Sequence, residues 1–118
     1  MTRKERIDYI ELASADLERA KSFYADAFGW TFKDYGETYT YFELGEVNGG
    51  ITTDREVVGA GKGSLVVLHS SDLDGARGRV EAAGGKIVVE TFEFPGGRRF
   101  QFTDPDGNEI AVWTEPAS

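Results

Sequence analysis

Apolar and polar residues alternate at Tyr9-Ile10-Glu11-Leu12, the period-two spacing of a strand with one covered face. The period then lengthens. Ser14, Ala15 and Asp16 supply helix-capping residues, and Leu17, Ala20, Tyr24, Ala27 and Phe28 recur at helical spacing until Gly29 ends the run. Residues 31–35 then read as a strand, Tyr39-Thr40-Tyr41-Phe42 as another, 45–49 as a turn, and 50–53 as a closing strand.

The same order returns 56 positions later, most plainly where Asp16-Leu17 becomes Asp72-Leu73. Leu65-Val66-Val67-Leu68 is the strand; Leu73, Ala76, Val80 and Ala83 form the helical stripe; Gly84-Gly85 is the stop. Residues 86–92, 100–102 and 109–114 complete the second copy, with Asp104-Pro105-Asp106-Gly107-Asn108 as a strong turn signal. A matching strand, helix and glycine stop argue against chance similarity of two amphipathic helices. The fold expected is α+β, two tandem βαβββ modules in one domain spanning 1–118. Module one covers about 7–57, a glycine-rich linker 58–63 (Val-Gly-Ala-Gly-Lys-Gly), and module two about 64–115.

Composition narrows the function. The 118 residues are 40% hydrophobic, enough for a core, and contain no cysteine, which excludes disulfides and thiolate metal sites. Asp and Glu number 21 against 13 Lys and Arg, a formal charge of −8 that argues against nucleic-acid binding. The acidic surplus reads as a solvated surface or as attraction for a cationic ligand. No apolar run reaches the length of a signal-peptide core or membrane span, so a soluble cytoplasmic protein is expected.

Residues 16–24 (Asp-Leu-Glu-Arg-Ala-Lys-Ser-Phe-Tyr), then Phe28-Gly29-Trp30, resemble the first helix and its exit in the glyoxalase/bleomycin-resistance/extradiol-dioxygenase (vicinal oxygen chelate) superfamily. Residues 104–110 with Val112-Trp113 resemble its closing hairpin, and Asn48-Gly49-Gly50-Ile51 fits the small branch related to lactoylglutathione lyase. The likeness runs from about Ile7 to Glu115. It implies an open, U-shaped mixed β barrel around a central cleft, and a homodimer. It names no single reaction, because the superfamily spans lyases, epimerases, dioxygenases, thiol transferases and drug-sequestering proteins.

In metal-dependent members the resemblance implies ligands, typically His and Glu, on the first and last strands of each module. Here those positions fall on Tyr9 and Leu65, and near Gly50 and Ala111. Leucine, glycine and alanine side chains cannot ligate, and neighbouring Thr52 and Glu109 do not complete a site, so no metal or other cofactor is expected. Gly61-Lys62 lacks the Ser or Thr and the upstream glycine of a phosphate loop, and residues 104–115 lack the central glycine of a calcium loop.

The acid–base candidates are Glu11, which shares the parity of Tyr9, and His69, the only histidine. Each is also explained as an ordinary strand residue. The pair Arg98-Arg99 suits an anionic ligand group or an ion pair with surface acids. Eight Phe, five Tyr and two Trp leave an aromatic surplus. Tyr9, Tyr39, Tyr41, Leu65, Phe100, Phe102, Ala111 and Trp113 are expected to line the cleft, with Trp30 at the helix exit; core packing is the competing reading, since parity does not say which face is which. The expected function is binding of a small, partly aromatic molecule, as in bleomycin-resistance-like sequestration. The alternative is a glyoxalase/lyase- or dioxygenase-like enzyme, metal-dependent with displaced ligands or metal-free.

Overall fold

The computed structural model describes residues 5–116. Its elements run β1 (Tyr9–Ala13), α1 (Leu17–Phe28), β2 (Phe32–Asp34), β3 (Tyr39–Phe42), β4 (Asn48–Thr52), β5 (Val66–His69), α2 (Leu73–Ala82), β6 (Lys86–Phe94), β7 (Gly97–Thr103) and β8 (Glu109–Thr114). The two helices start 56 positions apart behind equivalent caps. Asp16 accepts from the Arg19 backbone N–H at 3.1 Å and Asp72 from that of Gly75 at 3.0 Å. Gly29, at φ 74°, ends α1 in the left-handed conformation, and its N–H donates to the Ala25 carbonyl at 2.9 Å.

Each module makes one four-stranded mixed sheet, ordered β1-β4-β3-β2 and β5-β8-β7-β6. The first strand of each module pairs parallel with the last, and the remaining pairs are antiparallel. Among the described residues the two sheets share no strand pairing, so no barrel closes within the chain. Most strand bounds shift by one or two residues from the sequence reading, and at two of them the cause is local. The strand β4 begins at Asn48, because the Asn48 side chain closes the preceding turn by accepting from the Leu44 N–H at 2.8 Å. The strand β7 begins at Gly97, because Pro95-Gly96 is a two-residue turn that lets β6 and β7 pair from Phe94 opposite Gly97.

One face of each sheet packs on the helices. Ile10, Leu12, Phe42 and Ile51 of the first sheet and Val66, Leu68, Phe100, Phe102, Ile110 and Val112 of the second join Ala20, Phe23, Tyr24, Leu73, Ala76 and Val80 in one cluster. The helices touch each other, and the Phe102 ring lies 5.8 Å from Phe23 and 5.9 Å from Phe28, so the modules meet along a helical seam. A polar clasp crosses the same seam. Buried Asp104 accepts from the Tyr24 hydroxyl at 2.7 Å, while the Asn108 side chain donates to the Ala13 carbonyl at 2.7 Å. Asp106 accepts from the Ala15 N–H at 2.9 Å and from the Arg19 guanidinium at 2.7 Å. The Asp-Pro-Asp-Gly-Asn turn therefore fastens module two to module one as well as turning the chain.

Opposite the helices, each sheet shows an open face. That face carries Tyr9, Glu11, Tyr39 and Tyr41 in module one, and Val67, His69, Arg99, Gln101 and Trp113 in module two, as the pairing of Glu11 with Gly50, Gly50 with Tyr41, Val67 with Ala111 and Ala111 with Gln101 requires. Phe100 and Phe102, expected in the cleft, are 0% exposed and face the helices. The cause is register: Tyr41 sits opposite Gly50, but the residue opposite Ala111 is Gln101, and a shift of one position turns a strand's aromatics to the other side. The same alternation separates Arg98 from Arg99, so only Arg99 reaches the open face. The Cα radius of gyration is 14.8 Å, above the roughly 13.5 Å of a compact chain of this length. The excess reflects a gap between the two edge strands, β1 and β5.

Candidate functional site

That gap is a groove of about 1360 Å³ running from the linker to the helices, larger than the roughly 300–1,000 Å³ of most ligand clefts. Its floor is apolar and aromatic: half-buried Phe28 and Trp30 line it, with the buried rings of Tyr24 and Phe42 beneath them. Tyr24 and Trp30 stack with ring centroids 4.8 Å apart, and Trp30 and Phe42 at 4.5 Å. Glu11 stands on one rim and Leu65, His69 and Glu109 on the other, because β1 and β5 are the strands that flank the gap.

Above the Glu11 rim, the open face of module one holds a chain of hydroxyls. The Tyr39 hydroxyl donates to Glu11 Oε2 at 2.9 Å and stands 2.5 Å from the Tyr9 hydroxyl, which therefore donates to it. The arrangement depends on Gly50: a β-carbon there would collide with the Tyr39 phenol, which lies across the glycine. Tyr41 stacks beside Tyr9 with centroids 6.3 Å apart. Burial, then the bonds to Tyr9 and Glu11, raise the Tyr39 phenol well above the usual tyrosine range.

Its sign sets a test. A raised phenol favours the neutral form in the folded state, so its stabilisation is whole below the unfolded value of about 10 and is lost as pH rises towards the folded value. Near-ultraviolet titration should find one tyrosine beyond the ordinary group that responds to this cluster. Glu11→Gln should bring that transition down. A Glu11→Gln curve superimposable on the parent's would refute the assignment.

On the second face His69 bonds Glu115 through Nε2 and meets the edge of the Trp113 ring at 5.1 Å. The contact draws Glu115 below the usual carboxylate range. Arg99 donates to Gln101 at 2.8 Å, and Gln101 to Glu109 at 2.8 Å. Ala111 lies on this face but is 0% exposed, so its neighbours cover it against any ligand. The structure thus brings Tyr9, Glu11, Tyr39 and Tyr41 into one cluster and His69 with Trp113 into another. Leu65 lines the groove between them. Among the described residues no three His, Cys, Asp or Glu side chains gather as metal ligands, and no helix is long and apolar enough to cross a membrane.

Two groups went unmarked in the sequence reading. Asp104 looked like turn chemistry alone, and nothing local shows that it reaches Tyr24. Arg79 reads as a solvated helix residue, yet it lines the groove; its four-residue spacing from Gly75 and Ala83 on a small-residue face is the only hint of a close approach to α1.

Fold and faces define a duplicated βαβββ protein with an open ligand-sized groove. The chain belongs to the Glyoxalase/Bleomycin resistance protein/Dioxygenase superfamily, whose family model matches residues 6–112. It is 29% identical over 122 residues to a glyoxylase-like domain-containing protein of Didymella fabae, covering 94% of each. It is 30% identical over 124 residues to the anthracycline biosynthesis protein DauV of Streptomyces sp. (strain C5), covering 89% of this chain. The chain spans less than half the length of several curated relatives, 44% of mycobacterial ones and 45% of the Streptomyces protein. Among solved structures, a glyoxalase-related enzyme from Fulvimarina pelagi superimposes with a TM-score of 0.80 at 18% identity, covering 95% of this chain and 89% of that one. That likeness is one of fold.

Proposed function

We propose that the chain binds a small, partly aromatic molecule in the groove between β1 and β5 without a metal ion, as a sequestering or carrier protein. The observation that carries this reading is an aromatic groove whose flanking first- and last-strand positions do not fit a divalent ion. Tyr9 spends its hydroxyl on Tyr39, the space over Gly50 is taken by the Tyr39 phenol, and Leu65 and Ala111 offer no donor atom. The name of the DauV relative, concerned with making a polycyclic aromatic compound, is in keeping with such a ligand. We also propose a cytoplasmic location, and a homodimer because Tyr9, Val67 and Phe92 leave apolar surface exposed on the open faces that a second copy would cover.

A second reading rests on Glu11 and His69. They stand on opposite rims of one groove, each already polarised by a hydrogen-bond partner, as an acid–base pair in a lyase- or dioxygenase-like enzyme would be. Metal analysis of the purified protein, with thermal shifts over divalent ions and a panel of aromatic metabolites, separates the two. The binding reading expects no stoichiometric metal, and a stabilising ligand recovered unchanged. Stoichiometric Ni, Zn, Mn or Fe, or turnover of the stabilising compound, would overturn it in favour of the enzyme. Light scattering that returns the mass of one chain would remove the dimer.

A further inference from the structure

Arg79 is the one basic side chain that the helical seam delivers to the aromatic floor of the groove. It projects from α2, and its Nε donates to the Ala27 carbonyl at 2.9 Å, across the seam on the last turn of α1. A cation beside the exposed carbonyls of a helix end is favourable in itself, which accounts for one of the five guanidinium donors. The others make no hydrogen bond among the described residues and face solvent, Arg79 being exposed. Arg77, on the same helix, is paired with Glu81 and Glu90, and Arg19 with Asp106, but Arg79 takes part in no ion pair among the described residues.

Arg55, Arg98 and Arg99 also make no ion pair among the described residues; Arg79 differs in being tied to the end of α1 beside Phe28 while it lines the groove. Four acids line the same groove. Glu11 is held by Tyr39, and Glu109 by the Gly61 N–H and Gln101, so neither is directed to Arg79. Glu46 and Glu56 are exposed and make no ion pair among the described residues. The other cations lining it are Arg55, just before the linker, and Lys62, within it. Net charge is a property of the whole surface, whereas Arg79 places one positive charge beside Phe28 at the end of α1.

We infer that Arg79 anchors the carboxylate of an aromatic carboxylic acid whose ring lies against Phe28 and Trp30. This rests on the groove being the ligand site. The Nε bond to Ala27 fixes the guanidinium plane, and the remaining N–H fork has the planar, two-toothed geometry that a carboxylate matches. Phe28 and Trp30, with centroids 6.0 Å apart, supply the apolar wall for the ring. Apolar lining with one placed charge is the usual composition of a selective small-molecule site.

Three compounds of one shape test it by calorimetry: 2-naphthoate, 2-naphthalenemethanol and 2-naphthylmethylamine. The carboxylate should bind about tenfold more tightly than the alcohol, the worth of a charge-assisted hydrogen bond, and the amine most weakly. Arg79→Gln keeps an N–H for the Ala27 carbonyl, so it should erase the advantage of the carboxylate and bring its affinity to that of the alcohol measured on the same variant. A melting temperature close to the parent's shows that the variant is folded. Equal binding of all three compounds, or an advantage that survives in Arg79→Gln, overturns the anchor while leaving the groove as an aromatic site. Binding of none overturns the anchor and the groove reading together.

Discussion

Asp104→Ala is expected to lower the free energy of unfolding by about 3–5 kcal/mol, as read from urea denaturation. The carboxylate accepts four hydrogen bonds. They come from the Tyr24 hydroxyl at 2.7 Å, the Asn108 side chain at 2.9 Å, and the backbone N–H groups of Asp106 at 3.0 Å and Asn108 at 2.9 Å. Tyr24 is 1% exposed and Asp104 5%, so water does not replace the lost acceptor. Burial pushes the Asp104 carboxyl above its ordinary range, against the pull of Tyr24 and Asn108. Asp104→Asn keeps the shape and should cost less than alanine, although its amide hydrogens face other donors. Tyr24→Phe in the Asp104→Ala background should add almost nothing, because the hydroxyl has no partner left to lose. An Asp104→Ala protein within about 1 kcal/mol of the parent would show that the clasp does not hold the modules together.

Phe102→Ala should be comparably severe, about 3–5 kcal/mol, for a different reason. The ring is 0% exposed and touches Phe23 and Phe28 of the other module and Phe100 of its own strand. Its removal opens a cavity at the seam, which the rigid ends of α1 and β7 cannot collapse to fill. Tyr35, 56% exposed just after β2, is the control: Tyr35→Ala should move stability by well under 1 kcal/mol. A Phe102 variant that unfolds at the same urea concentration as the Tyr35 variant would sink the claim that this contact joins the halves.

The duplicated architecture was legible because it is written in local chemistry. Caps at Asp16 and Asp72, periodic stripes and glycine stops each act within a few residues, so the repeat shows before any packing is known. The faces of the strands were harder. Tyr39-Thr40-Tyr41-Phe42 gives no unambiguous polar side, and Thr40 is buried because its hydroxyl finds the Asp34 carboxylate at 2.8 Å. In β7 a signal was available: Arg99, Gln101 and Thr103 alternate with Phe100 and Phe102, which by binary pattern puts the phenylalanines inside. Long-range partners were not legible at all. Nothing near Arg79 in the chain predicts the Ala27 carbonyl, and nothing near Tyr24 predicts Asp104, since the first contact depends on how α1 and α2 cross and the second on where the β7–β8 turn meets α1.

The absence of any strand pairing between the two sheets makes the chain separable in a practical sense. Among the described residues its halves join through the seam and the glycine-rich stretch at 58–63, with no strand pairing between the sheets, so each open face can be rebuilt without disturbing the hydrogen-bond register of the other. Chimeras that take one half from this chain and the other from a relative become reasonable constructions. Their success hangs on a short set of matched parts: the ring packing of Phe23, Phe28 and Phe102, and the reach of the Asp104–Asn108 turn to Ala13, Ala15, Arg19 and Tyr24. Ligand preference could then be assembled by combination, one face at a time.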